Sequence, residues 1–294
     1  MQATRIASRI GAEVTYRLFD DGGRSETLLC NGGLGGTHLV WSGLTRLLRD
    51  RYRILIWDYP GLAAGESLSP GIALDVEGLA RTSQDVLDAA GAREAVIVGW
   101  SLGVQVAFEL ARSSPDRVRA VVAMCGTADS PFTDDPDCAT IASALGLCGA
   151  LPGAVGWMTG RAGMFEAVRS MLRRVEHPTR WAKRLDLVDP SIDELTFDAA
   201  IRDYLALDPQ TFLRYVEAAA VHDATATLGR ISLPVLALAG ERDRFVRPGR
   251  VRAMTGRIPE AELLEVRGAT HYLPFEYPEL VALTVGDFLA RRLG

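Results

Sequence analysis

Ala95-Val96-Ile97-Val98-Gly99-Trp100-Ser101-Leu102-Gly103, continued by Val104 to Arg112, is the stretch on which the fold turns. Four apolar, mostly β-branched residues in a row read as a short strand buried on both faces. A helical pattern, Leu102 to Arg112, opens directly after the serine. The linking pentapeptide is G-x-S-x-G in a strand–turn–helix setting. Glycines flank the serine because the turn is sharp and strained, and side chains at 99 or 103 would collide with neighbouring backbone. Ser101 is thereby expected at the carboxyl end of a sheet and at a helix N-terminus. Free N–H groups and the helix dipole favour developing negative charge there.

Outward from this turn, strands and helices alternate. Thr4 to Phe19 alternates weakly and runs into Asp20-Asp21-Gly22-Gly23, which predicts an antiparallel opening. Buried-strand runs follow at Thr27 to Cys30, Tyr52 to Trp57, Val118 to Met124, Val235 to Ala239 and Leu263 to Val266. Helical patterns lie between them at Leu39 to Arg49, Leu74 to Ala90, Gly249 to Arg257 and Glu279 to Leu293. The class is α/β: a mostly parallel sheet of about eight strands flanked by helices. One region, Thr127 to Arg230, lacks a convincing strand and carries helical stretches such as Phe165 to Val175 and Gln210 to Val221. The expected organisation is a core of 1–126 and 231–294, with 127–230 as a helical cap or lid inserted after the sixth strand.

A serine nucleophile needs a base, and the base needs an orienting acid. The chain has four histidines. His177 and His222 fall in the inserted region and read as surface or packing residues. His38 precedes the nucleophile and starts a helix. His271, in Gly268-Ala269-Thr270-His271-Tyr272, leaves a strand end at the same edge as Ser101 and is the expected base. The acid is expected from a strand end between them: Asp243, in Gly240-Glu241-Arg242-Asp243, with Glu241 as the local competitor and Asp129 as the distant one.

At these residues the chain resembles the α/β-hydrolase family. The turn around Ser101, the acid loop Gly240 to Asp243 with Val246 and Pro248, and the histidine loop Gly268 to His271 with Glu276 and Pro278 carry the resemblance. It covers nearly the whole chain outside the inserted region. Many members carry His-Gly after the strand preceding the first helix, where the next N–H donates to the oxyanion. Here the segment is Asn31-Gly32-Gly33-Leu34, so the resemblance implies Gly33 as donor, or Leu34 in another alignment, alongside the N–H of Leu102. Asp58 to Ser67 resembles the family's D-x-x-G-x-G-x-S loop with two extra residues.

The expected chemistry is acyl transfer to water: a serine hydrolase, esterase- or thioesterase-like, acting on a small or medium hydrophobic acyl substrate. Trp100, Phe245 and Tyr272 are candidates for the pocket wall, and Leu151, Val155, Trp157, Met158, Met164 and Phe165 for a lining in the lid. Acyltransferase, cyclase, lactonase and carbon–carbon hydrolase activities use the same triad, and a binding protein on the same fold is the alternative from another class.

Composition narrows the field. The chain has 294 residues, 32 Lys+Arg against 37 Asp+Glu, a net charge of -5 and 48% hydrophobic residues. There is no basic run, which argues against nucleic acid as partner. Lys183 is the lone lysine, far from any Gly-rich loop, so Schiff-base and P-loop chemistry are not expected. Neither HExxH nor clustered histidines nor a nucleotide-binding loop is present, so no metal and no organic cofactor are expected. Cys30, Cys125, Cys138 and Cys148 show no CxxC spacing. No apolar run suggests a signal sequence or membrane span, and the expected location is cytoplasmic. A homo-oligomer is compatible with the sequence, which does not specify one.

Overall fold

A computed structural model describes residues 2–20, 26–62, 67–130, 170 and 173–294. Strands β1 (Gln2–Ala7), β2 (Glu13–Phe19), β3 (Thr27–Asn31), β4 (Arg53–Asp58), β5 (Ala95–Trp100), β6 (Val118–Met124), β7 (Val235–Gly240) and β8 (Ala261–Val266) form one sheet. Their spatial order is β1-β2-β4-β3-β5-β6-β7-β8. The pairs β1–β2 and β2–β4 are antiparallel and the rest parallel. The opening run is therefore antiparallel as expected, but it is two strands. Gly11, at φ 83°, turns the chain between them, in a left-handed conformation that a glycine adopts without steric cost.

Alternation along the strands sorts two cores. Ala95 and Ile97 of β5 join one cluster with helices α2 (Val76–Ala89), α3 (Leu102–Ser113) and α7 (Pro248–Thr255). Val96, Val98 and Trp100 join the other, with α1 (Ser42–Leu48) and α9 (Pro278–Leu293). Every β5 residue is buried, which is why this strand reads as a continuous apolar run and not as an alternating one.

Among the described residues between β6 and β7 the regular elements are helical: α4 (Pro178–Arg184), α5 (Glu194–Ala206), α6 (Pro209–Val221) and a 3₁₀ turn at Thr225–Arg230. Three acidic side chains of this region accept from backbone N–H groups nearby. Asp193 and Asp208 cap α5 and α6, accepting from Thr196 N at 3.0 Å and Thr211 N at 2.8 Å. Asp198 accepts from Thr179 N, also at 2.8 Å. The helical stretch expected at 165–175, the lid lining at 151–165, Cys138 and Cys148 lie wholly or mostly outside the described residues. No helix among the described residues is long and apolar enough to cross a membrane.

The topology gathers the carboxyl ends of β3, β5, β6, β7 and β8 along one edge of the sheet. Trp100 pairs with Met124 and Gly99 with Asn31, so Ser101 leaves the sheet at its centre.

Candidate active site

Ser101 has φ 56° and ψ −118°, a conformation that costs about 1–3 kcal/mol for a non-glycine residue. The turn is held by Ser101 N donating to Met124 O (3.0 Å) and Val104 N to Ser101 O (2.9 Å). The need for glycine on either side is steric, as the sequence implies. A Cβ at Gly99 would lie 2.3 Å from the Gly103 carbonyl oxygen, and one at Gly103 would lie 2.0 Å from that of Asn31.

His271 and Asp243 meet this serine. His271 Nε2 is 3.1 Å from Ser101 Oγ, and Nδ1 is 2.9 Å from Asp243 Oδ2. The Asp243 side chain has no exposed surface, and its Oδ1 already accepts from Phe245 N and Val246 N, each at 2.8 Å. An ionised carboxylate only accepts, so Nδ1 carries the imidazole proton and Nε2 presents a lone pair to the serine O–H. The two loops are tied together as well: Arg242 N donates to Ala269 O at 2.8 Å and Glu241 N to Val266 O at 3.0 Å.

The competitors for these positions are engaged elsewhere. Glu241 accepts from Gly268 N, and Asp129 pairs with Arg250 Nη2 at 2.8 Å. His177 is exposed and lies 3.6 Å from Asp198. His38 is half-buried, and burial pushes its pKa below the usual value. His222 is buried, with Nε2 3.3 Å from Glu109 Oε2. Glu77, Glu109 and His222 are the one group of three metal-ligating side chains gathered among the described residues. Both Glu109 oxygens already accept from Arg112, at 2.8 and 2.6 Å, so a cation there would compete with a guanidinium.

Gly33 and Leu34 sit at the end of β3 beside the serine. A Cβ on Gly33 would lie 3.0 Å from Ser101 Cβ and 2.9 Å from the Trp100 ring. Leu34 lines a small pocket together with Ser101, Gln105, Thr127, Ala219 and Val246. Among the described residues the N–H groups of Gly33, Leu34 and Leu102 have no hydrogen-bond partner.

Three aromatic side chains surround the imidazole. The centroid of His271 is 5.4 Å from the nearest Trp100 ring, 5.0 Å from Phe245 and 5.9 Å from Tyr272. Trp100 is 6% exposed and its Nε1–H donates to the His271 carbonyl at 2.9 Å, so its polar end is committed to the protein. Tyr272 and Phe245 are half-buried, and burial pushes the Tyr272 phenol well above its usual pKa. Sequence reading assigned no function to Glu276. The structure buries its carboxylate against the histidine loop, where Thr270 N donates to Oε2 at 2.8 Å and Thr270 Oγ1 to Oε1 at 2.6 Å. Burial raises its pKa against the effect of these donors. The signal available in sequence was its place five residues after His271 in a short helical turn.

A model of the alpha/beta hydrolase family matches residues 28–284. The chain is 29% identical over 275 residues to polyketide synthase ThaQ of Burkholderia thailandensis; the match takes in 92% of this chain and 12% of that relative's length. It is 25% identical over 283 residues to the uncharacterized hydrolase YugF of Bacillus subtilis, covering 95% of each. Among solved structures, the enol-lactonase from Burkholderia xenovorans LB400 superposes with a TM-score of 0.72 at 23% identity, over 98% of this chain and 100% of that one.

Proposed function

The chain belongs to the alpha/beta hydrolase family, and from that premise we propose that it is a serine hydrolase that cleaves esters or thioesters of small to medium hydrophobic acyl groups. The observation that carries the reading is the unbroken hydrogen-bonded line from Ser101 Oγ through His271 to Asp243. Supporting it is the strained backbone that lifts Ser101 out of the sheet at the start of α3.

In this reading His271 Nε2 takes the Ser101 proton as Oγ attacks the substrate carbonyl. Asp243 holds the imidazole in the tautomer that permits this and stabilises the imidazolium that forms. The Leu102 and Gly33 N–H groups receive the oxyanion; Gly33 is preferred to Leu34 because its bare Cα lies against Ser101. The tetrahedral intermediate collapses and His271 returns the proton to the departing alcohol or thiol. Water then adds to the acyl-enzyme, giving its proton to His271, and the carboxylic acid leaves as Ser101 regains its hydrogen. Phe245 and Tyr272 border the reacting atoms, and residues 127–230 cap the pocket over a core of 1–126 and 231–294. Likeness to a segment of a polyketide synthase makes acyl thioesters of that kind worth testing beside simple esters and lactones.

Intact-mass labelling with a fluorophosphonate tests the proposal, using wild type, Ser101→Ala and His271→Ala. One adduct is expected on wild type, none on Ser101→Ala and strongly slowed labelling on His271→Ala. Folded wild type that stays unlabelled by both this reagent and a very small sulfonyl fluoride would favour a binding protein on the same fold.

A further inference from the structure

Glu276 lies at a junction between the histidine loop and the segment that links α4 to α5. Its Oε1 accepts from Thr270 Oγ1 at 2.6 Å and from the backbone N–H of Asp189 at 2.8 Å, and its Oε2 accepts from Thr270 N at 2.8 Å. Thr270 immediately precedes His271. Asp189 lies between α4 and α5, in the helical insertion. The residue is 4% exposed, so these three donors are not exchanged for water.

We propose that Glu276 is a positioning residue that makes the setting of His271 and the docking of the 186–192 segment a single event. This rests on the Ser101–His271–Asp243 reading given above. The short helix α8 (Leu273–Glu276) folds the chain back after His271, with Phe275 N and Glu276 N donating to Tyr272 O at 2.8 and 3.1 Å. That turn brings the carboxylate beside Thr270, so one side chain clasps the backbone on which His271 stands. The same carboxylate then takes the Asp189 N–H as its third donor. A carboxylate has room for all three, whereas an amide in its place has one acceptor oxygen and turns N–H groups toward donors.

Further contacts run between the same two segments. Tyr277 Oη donates to Asp189 Oδ2 at 3.1 Å, and Ser191 Oγ to the Glu276 carbonyl at 3.3 Å. Arg242, next to Asp243, pairs with Asp186. Val188, Ile192 and Phe197 form a small buried cluster against Tyr272 and Phe275, with the Phe197 ring 4.9 Å from that of Tyr272. Displacing the 186–192 segment therefore uncovers apolar surface and strips a donor from Glu276 together. The insertion and the histidine loop consequently have one docked arrangement, in which His271 meets Ser101.

The test compares Glu276→Gln, Thr270→Val and Thr270→Ser with wild type. It reads thermal midpoints, fluorophosphonate labelling of Ser101, kcat and KM on a short aryl ester, and hydrogen exchange by mass spectrometry. Glu276→Gln is expected to lower kcat by about 10²-fold, the scale of a small misplacement of a reacting group, with a smaller change in KM. Thr270→Val, which removes one hydroxyl and leaves the Asp189 bond formally intact, should lower kcat less. It should also raise exchange in the peptide spanning 186–192 as well as in 268–273. Thr270→Ser restores the hydroxyl and should restore both readings. Exchange that rises in 268–273 alone, or folded Glu276→Gln with wild-type kcat, would overturn the coupling while Ser101 labelling in wild type kept the hydrolase reading intact. A folded wild type that labels with neither the fluorophosphonate nor the very small sulfonyl fluoride overturns both. Should Glu276→Gln fail to fold, the Thr270 pair decides.

Discussion

The indole N–H of Trp100 donates to the backbone carbonyl of His271 at 2.9 Å, across 171 positions of sequence. The residue before Ser101 thus holds the backbone of the residue that faces Ser101. With the Asp243 contact at Nδ1, His271 is restrained from its side chain and from its main chain.

Removing the donor while keeping an aromatic ring should separate these restraints. Trp100→Phe leaves the His271 carbonyl buried without its partner, at a cost of about 1–3 kcal/mol. A thermal melt should show that loss, and ester hydrolysis should fall by about tenfold through poorer placement of the imidazole. Unchanged kcat with lowered stability would limit the hydrogen bond to a packing role.

Asp243→Asn should leave the fold in place and abolish most activity. The Asn oxygen can still accept from Phe245 N and Val246 N, which turns its amide N–H toward His271 Nδ1. Nδ1 must then accept, the proton moves to Nε2, and the lone pair facing Ser101 is lost. A drop in kcat of about 10⁴ follows by comparison with the same change in other triads. Ester kinetics with a circular-dichroism control measure it, and near-normal kcat would reject the assignment of the acid.

Two glycine replacements should behave oppositely. Gly103→Ala places a methyl 2.0 Å from the Asn31 carbonyl oxygen, which must displace β3 or the turn, and should destabilise by several kcal/mol (about 3 or more). Gly249 lies in the first turn of helix α7 with nothing within 4 Å of its would-be Cβ. Gly249→Ala should be neutral or stabilise by up to about 1 kcal/mol. Denaturant midpoints of the two variants distinguish them.

Acid should weaken the anchoring of α3 to the end of α6. Burial pushes the Glu109 carboxyl upward, but hydrogen bonds from His222 and Arg112 and the Arg112 charge outweigh it, and the net pKa falls below the usual 4.5. A depressed carboxylate contributes its full stability above that usual value and loses it as pH falls through the folded value. Glu109→Gln should therefore be less stable than wild type at neutral pH, with the gap narrowing below pH 4.5. Parallel melts across pH 7 to 3 check this, and a constant gap would assign the effect to packing.

The sequence alone determined the local part of this protein. Four apolar residues before G-x-S-x-G, and a helical pattern after it, put Ser101 at the turn between β5 and α3, because strand burial and turn sterics act over a few residues. The approach of His271 and Asp243 to Ser101 is legible because each follows a strand end within a short loop, and the chain offers few histidines. The boundaries are less so: strand β5 runs on through Gly99 and Trp100, and the opening run divides at Gly11. Only the tertiary structure decided that β4 lies outside β3 in the sheet, that Trp100 grips His271, and that Glu276 joins the histidine loop to the helical insertion. Periodicity reports which face of an element is buried, a property of neighbours in the chain. Which distant donor a buried indole or carboxylate meets depends on register and loop closure across the whole fold, and no local pattern encodes that.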